Sequence, residues 1–272
     1  MNKLHYAILN HLSPKAGRSI FSARLIELLA FTYKQALCCL FPIFVFLMLA
    51  TSHYVTIIPR YDFMLITCLG MQIYMYKSGL ESKHEVLVIL VFHLLGLVME
   101  LHKVNVGSWS YPEFAYVKIG NVPLYSGFMY ASVASYICQS WTRMKLNMIN
   151  WPKLPWTILV GSLIYFNFFT NAYVQDIRWF IVPILLFVFR KNWVEFNNNG
   201  VVRKMPMLVS FFLIGFFIWL AESIATFLGA WKYTYQHAGW EMVHWQKLSS
   251  WALLVIVSVI IVAQLKNIKY GK

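Results

Sequence analysis

Apolar runs, too long and too little interrupted for a water-soluble domain, set the terms for any fold of this sequence. Eight segments, at 36–57, 61–77, 86–106, 120–141, 154–174, 177–190, 206–228 and 247–265, carry few charges. A helix crosses a hydrocarbon core about 30 Å thick with roughly 20 residues; 61–77 and 177–190 are the short members of the set. The runs are continuously apolar and do not alternate, so barrel strands are not expected in them. Only 12% of the 272 residues are charged and 60% are hydrophobic, against about 25% charged in soluble domains. A disordered chain, an ordinary soluble enzyme and a disulfide scaffold are thereby excluded. The expected class is all-α: a polytopic membrane helix bundle of about eight transmembrane helices.

Charge placement orients that bundle. With the N-terminus inside, 17 of the 23 Lys and Arg fall in cytoplasmic segments, and only Arg60, Lys103, Lys118, Arg178, Lys232 and Lys247 fall outside. Lys and Arg collect on the cytoplasmic side, so both termini are expected in the cytoplasm. The net charge of +13 is then read as topology, with no nucleic-acid partner. Cys38, Cys39, Cys68 and Cys138 lie in apolar runs without metal-type spacing and read as small buried side chains. No small-residue cleavage site follows the first run, which is expected to be an uncleaved span.

Two stretches share a spacing. Glu100, Gly107, Trp109 and Tyr111 recur as Glu222, Gly229, Trp231 and Tyr233, and after a one-residue slip 122–131 aligns with 243–252. An even number of crossings separates the motifs, so they face the same side as parallel repeats about an axis along the membrane normal. The expected organisation is two parallel four-helix repeats: a basic cytoplasmic segment (1–34), a first membrane repeat (35–145), a second (146–266) and a cytoplasmic tail (267–272).

Glycine readily takes the left-handed conformation that ends a helix. If Gly107 and Gly229 do so, Glu100 and Glu222 lie about two turns, ~10 Å, inside the helix end. A carboxylate there needs a cation, a hydrogen-bonding neighbour or a proton of its own, and is a functional candidate. Glu100 and Glu222 are therefore the candidate catalytic acids. His93, two turns before Glu100, joins them, and Lys103 stands at salt-bridging spacing from Glu100. Trp109, Tyr111, Trp231 and Tyr233 are the candidate substrate-binding residues, their faces placed to stabilise a cation. Asp62 and Asp176 read as structural. The E-x-x-H copies Glu81–His84 and Glu241–His244 fall on opposite sides and cannot share a metal; a set drawn from His93, Glu100, Glu222, Glu241 and His244 is the remaining metal alternative, and no cofactor is specified.

The run GSWSYPEFAYVKIGNVPLYSGFMYASVASYI, with ESIATFLGAWKY and KLSSWALLVIVSVIIVAQLK, resembles the YoaT-like family of uncharacterised bacterial integral membrane proteins over about Lys34 to Lys266. That resemblance implies a multi-pass protein of the bacterial cytoplasmic membrane and no particular activity. A fainter likeness, carried by Glu100 to Tyr111 and Glu222 to Tyr233, is to membrane enzymes of the lycopene cyclase and carotenoid hydratase types; the Pro-Glu-Glu run of the cyclase type is missing, and Pro112-Glu113 is a weak echo of it. The expected function is an intramembrane enzyme acting on a lipid or isoprenoid, with a proton-coupled or small-solute transporter and an accessory membrane subunit as alternatives. Nucleotide-binding loops and the serine-hydrolase elbow are absent from the sequence.

Overall fold

A computed structural model describes residues 20–270. The expected basic segment up to position 19 and the last two residues of the expected tail lie outside the described residues. The described chain is built of helices α1 (Ile20–Cys38), α2 (Leu40–Thr51), α3 (Arg60–Lys77), α4 (Lys83–Asn105), α5 (Gly127–Arg143), α6 (Leu154–Thr170), α7 (Arg178–Phe189), α8 (Met207–Phe227) and α9 (Lys247–Tyr270). Each expected run overlaps one of α2 to α9, whereas α1 lies ahead of the first run except for its last three residues, in the stretch expected to be a basic cytoplasmic segment. The largest offset is at 120–141, where α5 starts only at Gly127 because 118–123 folds as a hairpin.

Length and apolarity qualify α4, α8 and the Lys247–Gln264 part of α9 to cross a membrane; the α1–α2 pair, bent by 68°, makes a fourth if counted as one span. The sequence suggested eight. The difference has two causes. α6 and α7 are apolar but only 17 and 12 residues long, the runs having continued into the connecting turns. α3 and α5 carry polar groups such as Asp62, Ser135 and Gln139, which are buried against protein partners. The bend after Cys38 follows from Pro42, which has no N–H for the Cys38 carbonyl and crowds it sterically.

Helices α4 with α5, and α8 with α9, form the two most closely packed pairs. Glycine permits both approaches. A methyl on Gly96 would lie 2.5 Å from the Tyr130 ring, and one on Gly215 would lie 2.9 Å from the Ala252 backbone. The Ser82–Glu85 capping box starts α4, and Glu85 also binds Lys266 of α9 at 2.7 Å, closing the bundle at one end.

Short strands occupy both ends of the bundle; of these the 118–123 hairpin and the last residue of the strand Val201–Pro206 reach into apolar runs. At one end β4 (Asn147–Ile149), β5 (Trp193–Asn198) and β6 (Val201–Pro206) form an antiparallel sheet in that order. Asn199 and Gly200 turn β5 into β6 with φ of 54° and 91°, the two positive values that a tight hairpin turn requires. The sheet docks on α1 through Arg203, which makes two bonds to the Glu27 carboxylate (2.5 and 2.6 Å), and through the Phe31–Phe196 ring contact. At the opposite end lie the loops that follow α4 and α8.

Candidate functional site

Both of those loops begin with the same helix stop. Gly107 has φ +72° and Gly229 +69°. The N–H of Ser108 reaches the Lys103 carbonyl and that of Gly107 the Val104 carbonyl; Ala230 and Gly229 repeat the pattern onto Ala225 and Thr226. These are the paired bonds of a Schellman cap. The chain then enters β1 (Trp109–Ser110) and β7 (Lys232–Tyr233), which pair antiparallel as Trp109↔Tyr233 and Ser110↔Lys232. The pairing is centred on Ser110 and Lys232, positions that correspond in the sequence alignment, so that Trp109 of one motif faces Tyr233 of the other. The two motifs are together at one end of the molecule.

Beneath this ladder Glu100 and Glu222 are buried, 2% and 5% exposed. Glu100 accepts three hydrogen bonds, from Trp109 Nε1 (2.7 Å), Tyr111 hydroxyl (2.7 Å) and Tyr130 hydroxyl (2.8 Å). Glu222 accepts two, from Tyr233 hydroxyl (2.5 Å) and Trp251 Nε1 (2.6 Å). The tyrosine eleven residues after each glutamate plays the same part twice. Tyr130 and Trp251, which correspond once the one-residue slip is applied, play the same part again. Burial, reinforced by the neighbouring carboxylate, holds the Tyr111 and Tyr233 hydroxyls well above the usual tyrosine range, so both remain donors.

Among the described residues neither carboxylate has an ion-pair partner. Lys247 instead lies over two rings that serve them, 5.1 Å from the centre of Trp109 and 4.8 Å from that of Tyr233. Lys103 does not bind Glu100, contrary to expectation: its ammonium donates to Asn171 Oδ1 (2.7 Å) and lies over Phe168. Glu100 turns towards the ladder while Lys103, three residues on, faces α6. His93 is not among the groups bonded to Glu100 either. It packs 4.4 Å from the Phe128 ring and against Gly127. Glu241 and His244 are exposed, and among the described residues no three His, Cys, Asp or Glu side chains are grouped for a metal.

The two glutamates differ in what lies beside them. Glu222, with Trp231, Trp251 and Tyr125, lines a cavity of about 660 Å³ between α1–α2 and α5–α8. Among the described residues its wall is otherwise apolar or neutral, and Glu222 is the one charged residue type in it. Glu100 is enclosed by its three donors and is not part of that wall. Ile43, Leu213 and Phe217 line the cavity and are also exposed on the outer surface, giving it an apolar rim.

Residues 27–259 match the family described as protein of unknown function (DUF817). The chain belongs to that family. A relative from Bacillus subtilis (strain 168), named uncharacterized protein YoaT, is 52% identical over 245 residues, covering 89% of this chain and 93% of the relative. Among solved structures, the crystal structure of a cross-linked MvINS trimer gives a TM-score of 0.48 at 11% identity, covering 68% of this chain and 95% of that one.

In this DUF817 protein the ladder end is anchored by groups the motif spacing does not reveal. Arg60 binds Ser52 (2.7 Å), Glu113 (2.8 Å) and the Leu228 carbonyl at the end of α8. Asp62 accepts the Tyr116 and Val117 N–H groups (2.7 and 3.0 Å). Asp176 binds Arg178 at 2.5 Å. Burial opposes its ionisation, but the Arg178 and Asn167 hydrogen bonds outweigh it and hold the carboxyl below its usual range. Burial likewise keeps the Lys118 ammonium below its usual range, against the pull of Glu113 and Asp62. The signal that could have identified Tyr130 and Trp251 was present in the slipped alignment of 122–131 with 243–252.

Proposed function

We propose that this membrane-associated DUF817 protein is an intramembrane enzyme that binds a lipid or isoprenoid in the apolar cavity and uses Glu222 as its acid. The observation that carries this reading is that, among the described residues, one carboxyl group stands in the wall of an otherwise uncharged cavity. Its volume is within the ~300–1,000 Å³ typical of small-molecule sites, and its apolar rim suits entry from lipid. Tyr233 and Trp251 each occupy one acceptor position on a different Glu222 oxygen, which leaves a position on the carboxyl for a proton.

The chemistry needs no co-reactant. The protonated carboxyl gives its proton to one alkene carbon, whose π electrons form the new C–H bond and leave a cation on the neighbouring carbon. Trp231, in the same wall, offers that cation an electron-rich face. The Glu222 carboxylate then takes a proton from an adjacent carbon, a double bond forms there, and the net result is an isomerisation. Glu100, held by three donors, positions Trp109 and Tyr111 and through the ladder supports Tyr233.

We further propose that residues 35–145 and 146–266 are parallel repeats and that the remaining helices complete eight crossings. The sheet end would then face the cytoplasm of a bacterial cell. The matching caps, the centred ladder and the corresponding donors support the duplication; the excess of basic residues at the sheet end supports the orientation.

Comparison of lipid and polyprenoid profiles tests the enzymatic reading. Deletion is expected to accumulate one class of apolar compound, and Glu222→Gln, present in the membrane at normal level, is expected not to restore the profile. An unchanged profile on deletion, or full restoration by Glu222→Gln, would refute it.

A further inference from the structure

Away from the cavity, the two short apolar helices α6 and α7 meet at a group of cations that no carboxylate balances. The helices pack on one another, and both carry exposed apolar side chains. Leu154, Trp156 and Ile158 on α6 and Trp179, Phe180 and Phe187 on α7 are each 47–71% exposed. Apolar surface of this extent belongs against another apolar phase. At the sheet end, the segment entering α6 and the segment leaving α7 are tied together. Asn150 Nδ2 donates to the Lys191 carbonyl (3.2 Å), Asn192 Nδ2 donates to the Asn150 carbonyl, and the Trp151 and Phe189 rings are 5.7 Å apart. Arg190 and Lys191 therefore stand beside Asn150, and Lys153 follows Asn150 by three residues, at most ~11 Å of chain. All three cations are exposed, as is the neighbouring Trp193. The Arg190 guanidinium lies over the exposed Phe187 ring, 4.1 Å from its centre, so its charge sits at the rim of the apolar face.

Other cations at this end of the bundle have carboxylate partners: Arg203 has Glu27, Lys204 has Glu195 and Lys266 has Glu85. Among the described residues, no ion pair reaches the side chain of Lys153, Arg190 or Lys191. The surrounding sequence offers none. Between Glu113 and Glu195 the one acidic residue is Asp176, which precedes α7 at its other end and is bound to Arg178. Glu195 is itself taken by Lys204 and Asn147. Helix dipoles do not account for the group either. Arg190 and Lys191 suit the C-terminal end of α7, but Lys153 stands at the N-terminal end of α6, where a cation is disfavoured.

An apolar face that ends in unbalanced cations flanked by tryptophan complements a phospholipid, whose acyl chains and phosphodiester meet at the same boundary. Tryptophan and basic side chains are the groups that the polar edge of a bilayer favours, and anionic headgroups attract the latter. We infer that the sheet end of the α6–α7 pair is a binding site for an anionic phospholipid, its phosphate held by Lys153, Arg190 and Lys191 and an acyl chain lying against Trp156 and Phe187. The apolar rim favours a lipid over an acidic protein segment, which would bring charge without chains to cover the exposed rings. This site is separate from the cavity and does not depend on the acid reading of Glu222.

The test titrates the full chain, stripped of lipid in detergent, with dioctanoyl phosphatidylglycerol or dioctanoyl phosphatidylcholine and counts bound lipid by native mass spectrometry. The anionic lipid is expected to bind about tenfold or more tighter than the zwitterionic one. Lys153→Gln alone is expected to weaken it about fivefold, and Lys153→Gln with Arg190→Gln and Lys191→Gln to abolish the preference. Lys77→Gln with Lys83→Gln and Lys145→Gln, which removes the same charge from exposed positions elsewhere, is expected to leave the preference intact. Lys153→Arg with Lys191→Arg is expected to keep it too, showing that charge and not lysine packing is read. Glycerol 3-phosphate and hexaglutamate are expected not to displace the lipid. No preference in the wild type, or equal losses in the two triple variants, would overturn the inference. Displacement by glycerol 3-phosphate would make the site one for a free phosphate, and displacement by hexaglutamate one for an acidic peptide; either result would overturn it as well.

Discussion

At the scale of single residues, each buried glutamate is hydrogen-bonded by aromatic donors and, among the described residues, makes no direct ion pair. A hydrogen bond contributes about 0.5–1.5 kcal/mol to a neutral carboxyl group and about 1.5–3 kcal/mol to a charged one. Tyr130→Phe removes one of three donors from Glu100, and Trp251→Phe removes one of two from Glu222. Both are expected to lower the thermal unfolding midpoint in detergent, Trp251→Phe by more because it also shrinks a cavity wall; an unchanged midpoint in both would mean the carboxylates do not depend on these bonds. Asp176 provides a pH test at the surface. Its folded value lies below the ~3.9 of a free aspartate, so its stabilisation is complete above about pH 4 and fades as pH falls through the folded value. Between pH 5 and pH 3 the wild type should lose more stability than Asp176→Asn, and equal losses would remove Asp176 from the acid response. The positions of Glu100 and Glu222 were legible in the sequence, since a glycine stop fixes depth along a helix. Their partners were only half legible. Tyr111 and Tyr233 fall within the motif, but Tyr130 and Trp251 come from the next helix, 30 and 29 residues away, and nothing local says that the loop returns them to the same carboxylate.

At the scale of elements, the existence of α2 to α9 was readable from apolar runs because burial in lipid or protein demands them, while α1 precedes the first run and was not. The breaks were harder to read. The run from Ala36 onwards gives no compositional hint of the 68° bend; the physical cue is the proline at 42, four residues after Cys38. The β5–β6 hairpin had a cue as well, Asn199-Gly200 between runs rich in Val and aromatic residues, which the length of the flanking apolar segments obscured. Helix pairing is where close packing can be tested. Gly96→Ala directs a methyl into the Tyr130 ring, and overpacking of this kind costs about 1–3 kcal/mol. It should also loosen the Tyr130 bond to Glu100, so its effect should be less than additive with Tyr130→Phe. Gly70, on α3, faces open space, and Gly70→Ala should be neutral or slightly stabilising through helix propensity. Equal unfolding midpoints for the two alanine variants would show that α4 and α5 do not rely on a glycine contact.

At the scale of the whole molecule, the centred ladder and the repeated caps place both motif loops at one end, with the α1-docked sheet at the other. If α4, α8 and α9 cross the membrane, these ends are on opposite sides of it, and every motif group must be reachable from one side only. The native cysteines leave this open to labelling, because Cys38, Cys68 and Cys138 are buried and Cys39 is only partly exposed. A background with all four changed to alanine or serine can carry one new cysteine at a time. Tyr116→Cys and His237→Cys stand on exposed parts of the two motif loops, and Lys204→Cys stands on the sheet. Under the proposed orientation, with the sheet end facing the cytoplasm, a membrane-impermeant maleimide applied to intact cells should modify positions 116 and 237 to similar extents and position 204 only after lysis. Modification of 204 alone in intact cells would invert the orientation but keep the two-fold relation. Modification of 116 without 237, with both reactive after lysis, would separate the motifs across the bilayer, which the hydrogen-bonded pairing of Trp109 with Tyr233 forbids.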